Sequence, residues 1–222
     1  CLFEAPLDTQ LREIGDRWQE IAMTDLLARL LKMTEEELRI ERNLDVAMVN
    51  IDKGKPDDAI AACDRIIKSK PDMAGAYLIR GDAKFVKGDI QGALDDYDEV
   101  IKLNDRYVAA YCSRGLARAK ARLVKAGTET MADALDGALD DFAKAIEINP
   151  RCAVAYFNRA TAYAERIARP GGFYWKDYQK TVEDCDKAIS INPKHSMMYV
   201  MRTRARVSLA TKTYPIDESP RD

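Results

Sequence analysis

A 34-residue period constrains this chain more than any other feature. Gly54, Ala59, Cys63, Ile66 and Pro71 are followed, 34 positions on, by Gly88, Ala93, Tyr97, Val100 and Asp105. A second register runs further. Tyr77-x-x-Arg80-Gly81 returns as Tyr111-x-x-Arg114-Gly115, as Tyr156-x-x-Arg159-Ala160 and as Tyr199-x-x-Arg202-Thr203. The closing segment Ala-Ile-Glu-Ile-Asn-Pro at 145–150 returns as Ala-Ile-Ser-Ile-Asn-Pro at 188–193. A period of this size marks stacked units, none of which can bury its apolar face alone. Each unit reads as two helices. A small residue in the first (Ala47, Gly81, Gly115, Ala160) and one in the second (Ala59, Ala93, Ala138) let the pair approach closely. Gly54 and Gly88 fall where the chain must reverse. Proline after Lys70, Asn149 and Asn192 ends the second helices, because a residue before proline avoids the helical region.

A 34-residue helix–turn–helix with these small residues and a closing proline resembles the tetratricopeptide repeat. The resemblance covers about residues 40–209 and is closest over 74–105, where Tyr77, Gly81, Gly88, Ala93, Tyr97 and Val100 occupy the family's packing positions. Arg80, Arg114 and Arg159 depart from it, standing where the family usually has leucine. The first unit has Asn43 and Ala47 in place of the aromatic and the glycine. The resemblance implies an all-α, right-handed superhelical solenoid of four repeats, at 40–73, 74–107, 108–152 and 153–195. Capping helices would lie within 1–39 and at 196–210, with a tail over 211–222.

The resemblance also implies a scaffold or adaptor that holds a protein or peptide along a concave face lined by the first helices. That face maps to Leu44, Met48, Leu78, Asp82, Phe85, Cys112, Leu116, Val154, Phe157 and Thr161, with Met197 and Val200 beyond. The Asn, Lys and Arg of chaperone-carboxylate clamps are missing from it, so that activity is not implied. The groove is apolar, which suits an amphipathic helix or an extended apolar segment. The opposing reading is that neighbouring helices cover it. Residues 9–32, with Leu11, Ile14, Trp18, Ala22, Leu26 and Leu30 at helical spacing, would serve either as a cap or as such a cover.

Two units break the period. Counting from Gly115, the second small residue is due near 127 but comes at Ala138, and in the next unit the matching position is Thr181, nine residues late. Both extras fall between the two helices of a unit. The lengthened hairpins carry Arg118, Lys120, Arg122, Lys125, Arg166 and Arg169, and the triplet Phe173-Tyr174-Trp175. These form either a second contact surface for an acidic or extended partner, or solvated faces with the aromatics packing the hairpins together. One more recurrence has a physical meaning. Asp96, Asp141 and Asp184 precede Tyr97, Phe142 and Cys185, and the next units carry Arg114, Arg159 and Arg202. The spacing predicts an inter-repeat ladder Asp96–Arg114, Asp141–Arg159 and Asp184–Arg202, each guanidinium gripping a carboxylate at two points. The rival reading gives those arginines to an anionic ligand.

Composition narrows the function. With 35 basic and 37 acidic residues, the net charge of −2 gives no electrostatic footprint for nucleic acid. A helical-repeat RNA binder is therefore the distant alternative. The single histidine, His195, has no partner for a triad or a zinc site, and no C-x-x-C pair or phosphate loop is present. The sequence thus predicts no catalytic residues, no metal, no cofactor and no enzymatic activity. No apolar run approaches the roughly 20 residues of a membrane span. The five cysteines lean towards a reducing, cytoplasmic setting. Cys1 at the start fits a processed or excerpted sequence, and it leaves open a bacterial lipoprotein anchored in the envelope. A homo-oligomer is also compatible.

Overall fold

The computed structural model describes residues 35–121, 131–167, 175–194 and 196–211, and every described element is helical. The chain divides into two compact units, residues 1–46 and 47–222. The described helices are α1 (Glu35–Asp52), α2 (Pro56–Ser69), α3 (Ala74–Lys87), α4 (Ile90–Leu103), α5 (Val108–Ala121), α6 (Met131–Ile148), α7 (Ala153–Ile167), α8 (Trp175–Ile191) and α9 (Ser196–Thr211). The expected helix over 9–32 lies outside the described residues, as do 122–130, 168–174, His195 and 212–222. Among the described residues no helix is long and apolar enough to cross a membrane.

Local chemistry sets the helix ends. Gly54 and Gly88 take positive φ, 69° and 94°, a conformation that costs glycine nothing and other residues a steric penalty. Pro56 opens α2, where its missing N–H would have no partner in any case. Asp89 caps α4, its carboxylate accepting from Gly92 N–H. After α4, α6 and α8, Asn104, Asn149 and Asn192 each accept the N–H two residues on, at 3.0, 3.0 and 3.2 Å. The hydroxyls of Tyr111 and Tyr199 then donate back to the carbonyls of Asp105 and Pro193. One loop design thus serves several junctions.

Within 47–222 the helices pack in chain order. The hairpins α3–α4, α5–α6 and α7–α8 stack, with α3 against α5 and α5 against α7. This is a helical-repeat solenoid. Its core is the seam between the two helices of each hairpin. Tyr97 and Phe142 are almost wholly enclosed, and full burial of one such ring stabilises by roughly 2–3 kcal/mol. Each ring lies against a glycine of the first helix. A Cβ added at Gly81 would stand 2.7 Å from the Tyr97 ring, and one at Gly115 would stand 2.6 Å from the Phe142 ring. In the following hairpin the glycine becomes Ala160 and the ring becomes Cys185, which share one buried cluster with Met198. One slot is filled in two ways.

Candidate functional site

Beside that slot runs a row of charge. Arg80 grips Asp96 through Nε and Nη2, at 3.0 and 2.6 Å, and reaches Asp64 of the preceding hairpin through Nη1 at 2.6 Å. Arg114 repeats this with Asp141 at 2.6 Å and Asp98 at 2.6 Å. Arg159 holds Asp184 at 2.8 and 2.7 Å. Each guanidinium also lies over the tyrosine one turn earlier, with ring-centre distances of 5.3, 5.5 and 5.8 Å for Tyr77, Tyr111 and Tyr156. Lys84 and Arg118 add a second cation to Asp96 and Asp141, at 2.8 and 2.9 Å.

The expected register of the ladder is therefore corrected. Asp96, Asp141 and Asp184 pair with the arginine of their own hairpin, not with Arg114, Arg159 and Arg202 of the next. In two antiparallel helices the arginine of the first and the carboxylate of the second stand at the same level. The link between units passes instead through Asp64, Asp98 and Asp186, directly after the buried Cys63, Tyr97 and Cys185. Asp64 and Asp98 sit 34 apart, so this signal was present in the sequence. Burial raises the carboxyls of Asp141 and Asp184 above their usual range despite the arginines beside them. These pairs fix geometry more than they add stability.

The hydrogen bonds also locate the inserted residues. Arg–Asp separations of 16, 27 and 25 residues show that the extra eleven and nine residues fall, in the chain, between each arginine and its aspartate. On the lengthened α7–α8 hairpin the clamp is built again, seven residues further along α7. Arg166 stacks on Tyr163 at 5.4 Å and holds Asp177 and Asp136, both at 2.6 Å. Tyr163-x-x-Arg166 repeats Tyr156-x-x-Arg159 in the sequence at a spacing of seven, outside the 34-residue period.

This changes the basic ridge. Arg118 and Arg166 are engaged within the chain, and the Lys120 ammonium lies 4.5 Å from the centre of the Phe85 ring. Arg118 and Arg166 brace the hairpins, and Lys120 remains exposed. Trp175 is the first residue of α8, while Arg122, Lys125, Arg169, Phe173 and Tyr174 lie outside the described residues.

The mapped concave residues divide three ways. Cys112 is core, buried with Tyr111, Ala145 and Ala155, and burial pushes its thiol up to about 12. Leu78 and Phe85 are half-buried against the Tyr97 cluster, Phe157 is half-buried against the Ala160–Cys185 cluster, and Leu44 is half-buried within α1. Asp82 accepts the Tyr97 hydroxyl at 2.8 Å. Burial raises its carboxyl above the usual range. Met48, Leu116 and Val154, by contrast, are 54%, 41% and 58% exposed. Thr161 turns its hydroxyl back to the Phe157 carbonyl and borders a cleft of about 490 Å³, lined also by Glu165, Tyr178, Met201 and Arg204. The row that follows the slot residues is thus Met48, Asp82, Leu116 and Thr161, apolar at two positions and polar at two.

The comparisons accord with this geometry. Residues 47–108 match the tetratricopeptide-repeat family model. Over that segment the chain carries the tetratricopeptide repeat. No curated protein sequence matches it. Among solved structures, this chain is similar to TTC0263, a thermophilic tetratricopeptide-repeat protein from Thermus thermophilus. The TM-score is 0.63 at 18% identity, covering 77% of this chain and 82% of that one. A crystal structure of the MamA protein aligns at a TM-score of 0.57 and 23% identity, over 77% of this chain and 83% of its own. The first repeat domain of Spaghetti, solved with an HSP90 peptide, aligns at 0.50 and 17%, over 62% and 96%. At these identities the likeness is one of fold.

Proposed function

We propose that this chain is a non-enzymatic scaffold that holds a protein segment along the face formed by α3, α5 and α7, with contacts extending to the Thr161 cleft. The observation that carries it is Leu116. It follows the enclosed Gly115 directly, yet two-fifths of it is open to water, while Tyr111, Cys112 and Ala117 of the same helix are buried. Exposed apolar side chains beside a half-buried wall of Leu78, Phe85 and Phe157 favour an amphipathic helix or an extended apolar segment. A similar fold holding a peptide supports the general reading. The polar positions on this face, Asp82 and Thr161, are bonded inward, so recognition rests on shape and apolar area. The test is affinity capture from an extract of the source cell, wild type beside Leu116→Arg/Val154→Arg, with circular dichroism confirming that both are folded. Loss of one retained protein supports the face as the binding surface. An identical set from both overturns it.

A further inference from the structure

Helix α9 is a first helix whose second helix is missing among the described residues. Its motif Tyr199-x-x-Arg202-Thr203 stands in register with Tyr77-x-x-Arg80-Gly81. In the complete hairpins this side of the first helix is closed, with Gly81, Gly115 and Ala160 all buried. In α9 the equivalent side is open. Tyr199, Val200 and Val207 are 38%, 53% and 54% exposed, and Thr203 is exposed where those small residues are enclosed.

The charges tell the same story. In Arg80, Arg114 and Arg159 the Nε–Nη2 edge holds the carboxylate of the second helix, and in Arg80 and Arg114 Nη1 reaches back to the preceding hairpin. Arg202 keeps the backward bond, Nη1 to Asp186 at 2.7 Å, but its Nε–Nη2 edge meets no carboxylate among the described residues. Arg206, in register with Lys84 and Arg118, has turned to the same Asp186 at 3.0 Å. Two guanidiniums share one half-exposed carboxylate, where Arg80 and Lys84 share two.

The geometry points to this open side of α9 as a docking site for an amphipathic helix of a partner protein, lying antiparallel to α9, with an aspartate followed directly by a small residue on its apolar face. The aspartate fills the free edge of Arg202, a bidentate geometry that lysine could not reproduce. The demand for a small neighbour comes from the slot. A glycine there accepts Tyr97 or Phe142, and a Cβ would stand within 2.7 Å of either ring. Ala160 is matched by Cys185. Thr203 is larger than alanine, so an aromatic is refused and alanine, serine or cysteine is accepted, a case of specificity by exclusion. Val200 and Val207 stand in register with Leu78 and Phe85, so the free edge of Arg202 and the Thr203 slot are what set this site apart from the face of the proposed function.

The test uses the whole chain and three labelled synthetic peptides spanning residues 176–190, which hold the Asp184-Cys185 pair of α8. One carries C185A, one C185A with D184N, and one C185Y. Fluorescence anisotropy should show saturable binding of the C185A peptide. The D184N form should bind at least tenfold more weakly, and the C185Y form several-fold more weakly. Thr203→Gly in the protein should reverse the preference between C185A and C185Y, a result that displacement of the native α8 would not produce. Absence of saturable binding overturns the proposal. So does indifference to D184N, or a peptide preference that Thr203→Gly leaves unchanged.

Discussion

Gly115 and Leu116 are neighbours on α5 and opposites in environment. Gly115 is enclosed, pressed so closely by Phe142 that no Cβ fits, while Leu116 stands in water. The contrast recurs along the array as Ala47 beside Met48. On α1 and α5 one side is therefore committed to the fold and the adjacent side is left available. The committed side is a jigsaw in which ring and glycine trade volume, or cysteine and alanine do. The available side follows no such rule, as Met48, Asp82, Leu116 and Thr161 show. What holds the molecule together repeats, and the position beside it varies.

The largest effect should come from forcing the enclosed side. Gly115→Val drives two methyls into the Phe142 ring, and overpacking of this kind costs about 3 kcal/mol. In a chain of this length each kcal/mol is worth roughly 2–4 °C of melting temperature. Adding Phe142→Cys, the solution found at Ala160–Cys185, should restore part of the loss, and a double variant no better than the single would break the jigsaw account.

Next comes the clamp. Arg114→Met leaves Asp141 buried with only Arg118 beside it, and stranding a buried charge costs roughly 3 kcal/mol at most here. Arg114→Met/Asp141→Leu removes both charges and should recover most of that stability in chemical denaturation. If the double variant is as unstable as the single, the pair contributes more than geometry. A smaller effect is expected at Ala160→Gly, about 1 kcal/mol from backbone freedom and the space left beside Cys185. The smallest concerns which side a residue belongs to. The thiols of Cys63, Cys112 and Cys185 are buried, with Cys63 and Cys112 pushed up to about 12 and Cys185 to about 11. Alkylation at pH 8 followed by mass spectrometry should leave all three intact until the chain is unfolded. Rapid labelling of Cys112 would return it to the open face.

Much of this was legible beforehand, for identifiable reasons. The period, the slot glycines and the turn glycines are covalent requirements that no neighbour can supply, so they print directly in the sequence. Arg80, Arg114 and Arg159 were visible as a set, yet their partners were not, because Tyr97 and Cys185 each have a carboxylate on either side and the two arginines in register with each cannot be told apart by period alone. Cys112 was misplaced for a related reason. Helical spacing assigns a direction, but whether that direction ends in solvent depends on the next unit, which covers Cys112 and leaves Leu116 open. Arg166 shows a third kind of gap. Its clamp lies one heptad beyond the first, inside an insertion, where a search at period 34 does not look.

The contrast on α5 rests on the open side being free of any structural task, and the thermal melt of Leu116→Arg/Val154→Arg tests that most directly. The account predicts a melting temperature within about 2 °C of wild type, since exposed substitutions usually shift stability by no more than about 0.5 kcal/mol. A fall comparable to that of Gly115→Val would mean that Leu116 and Val154 are covered in the native chain, and would contradict the account.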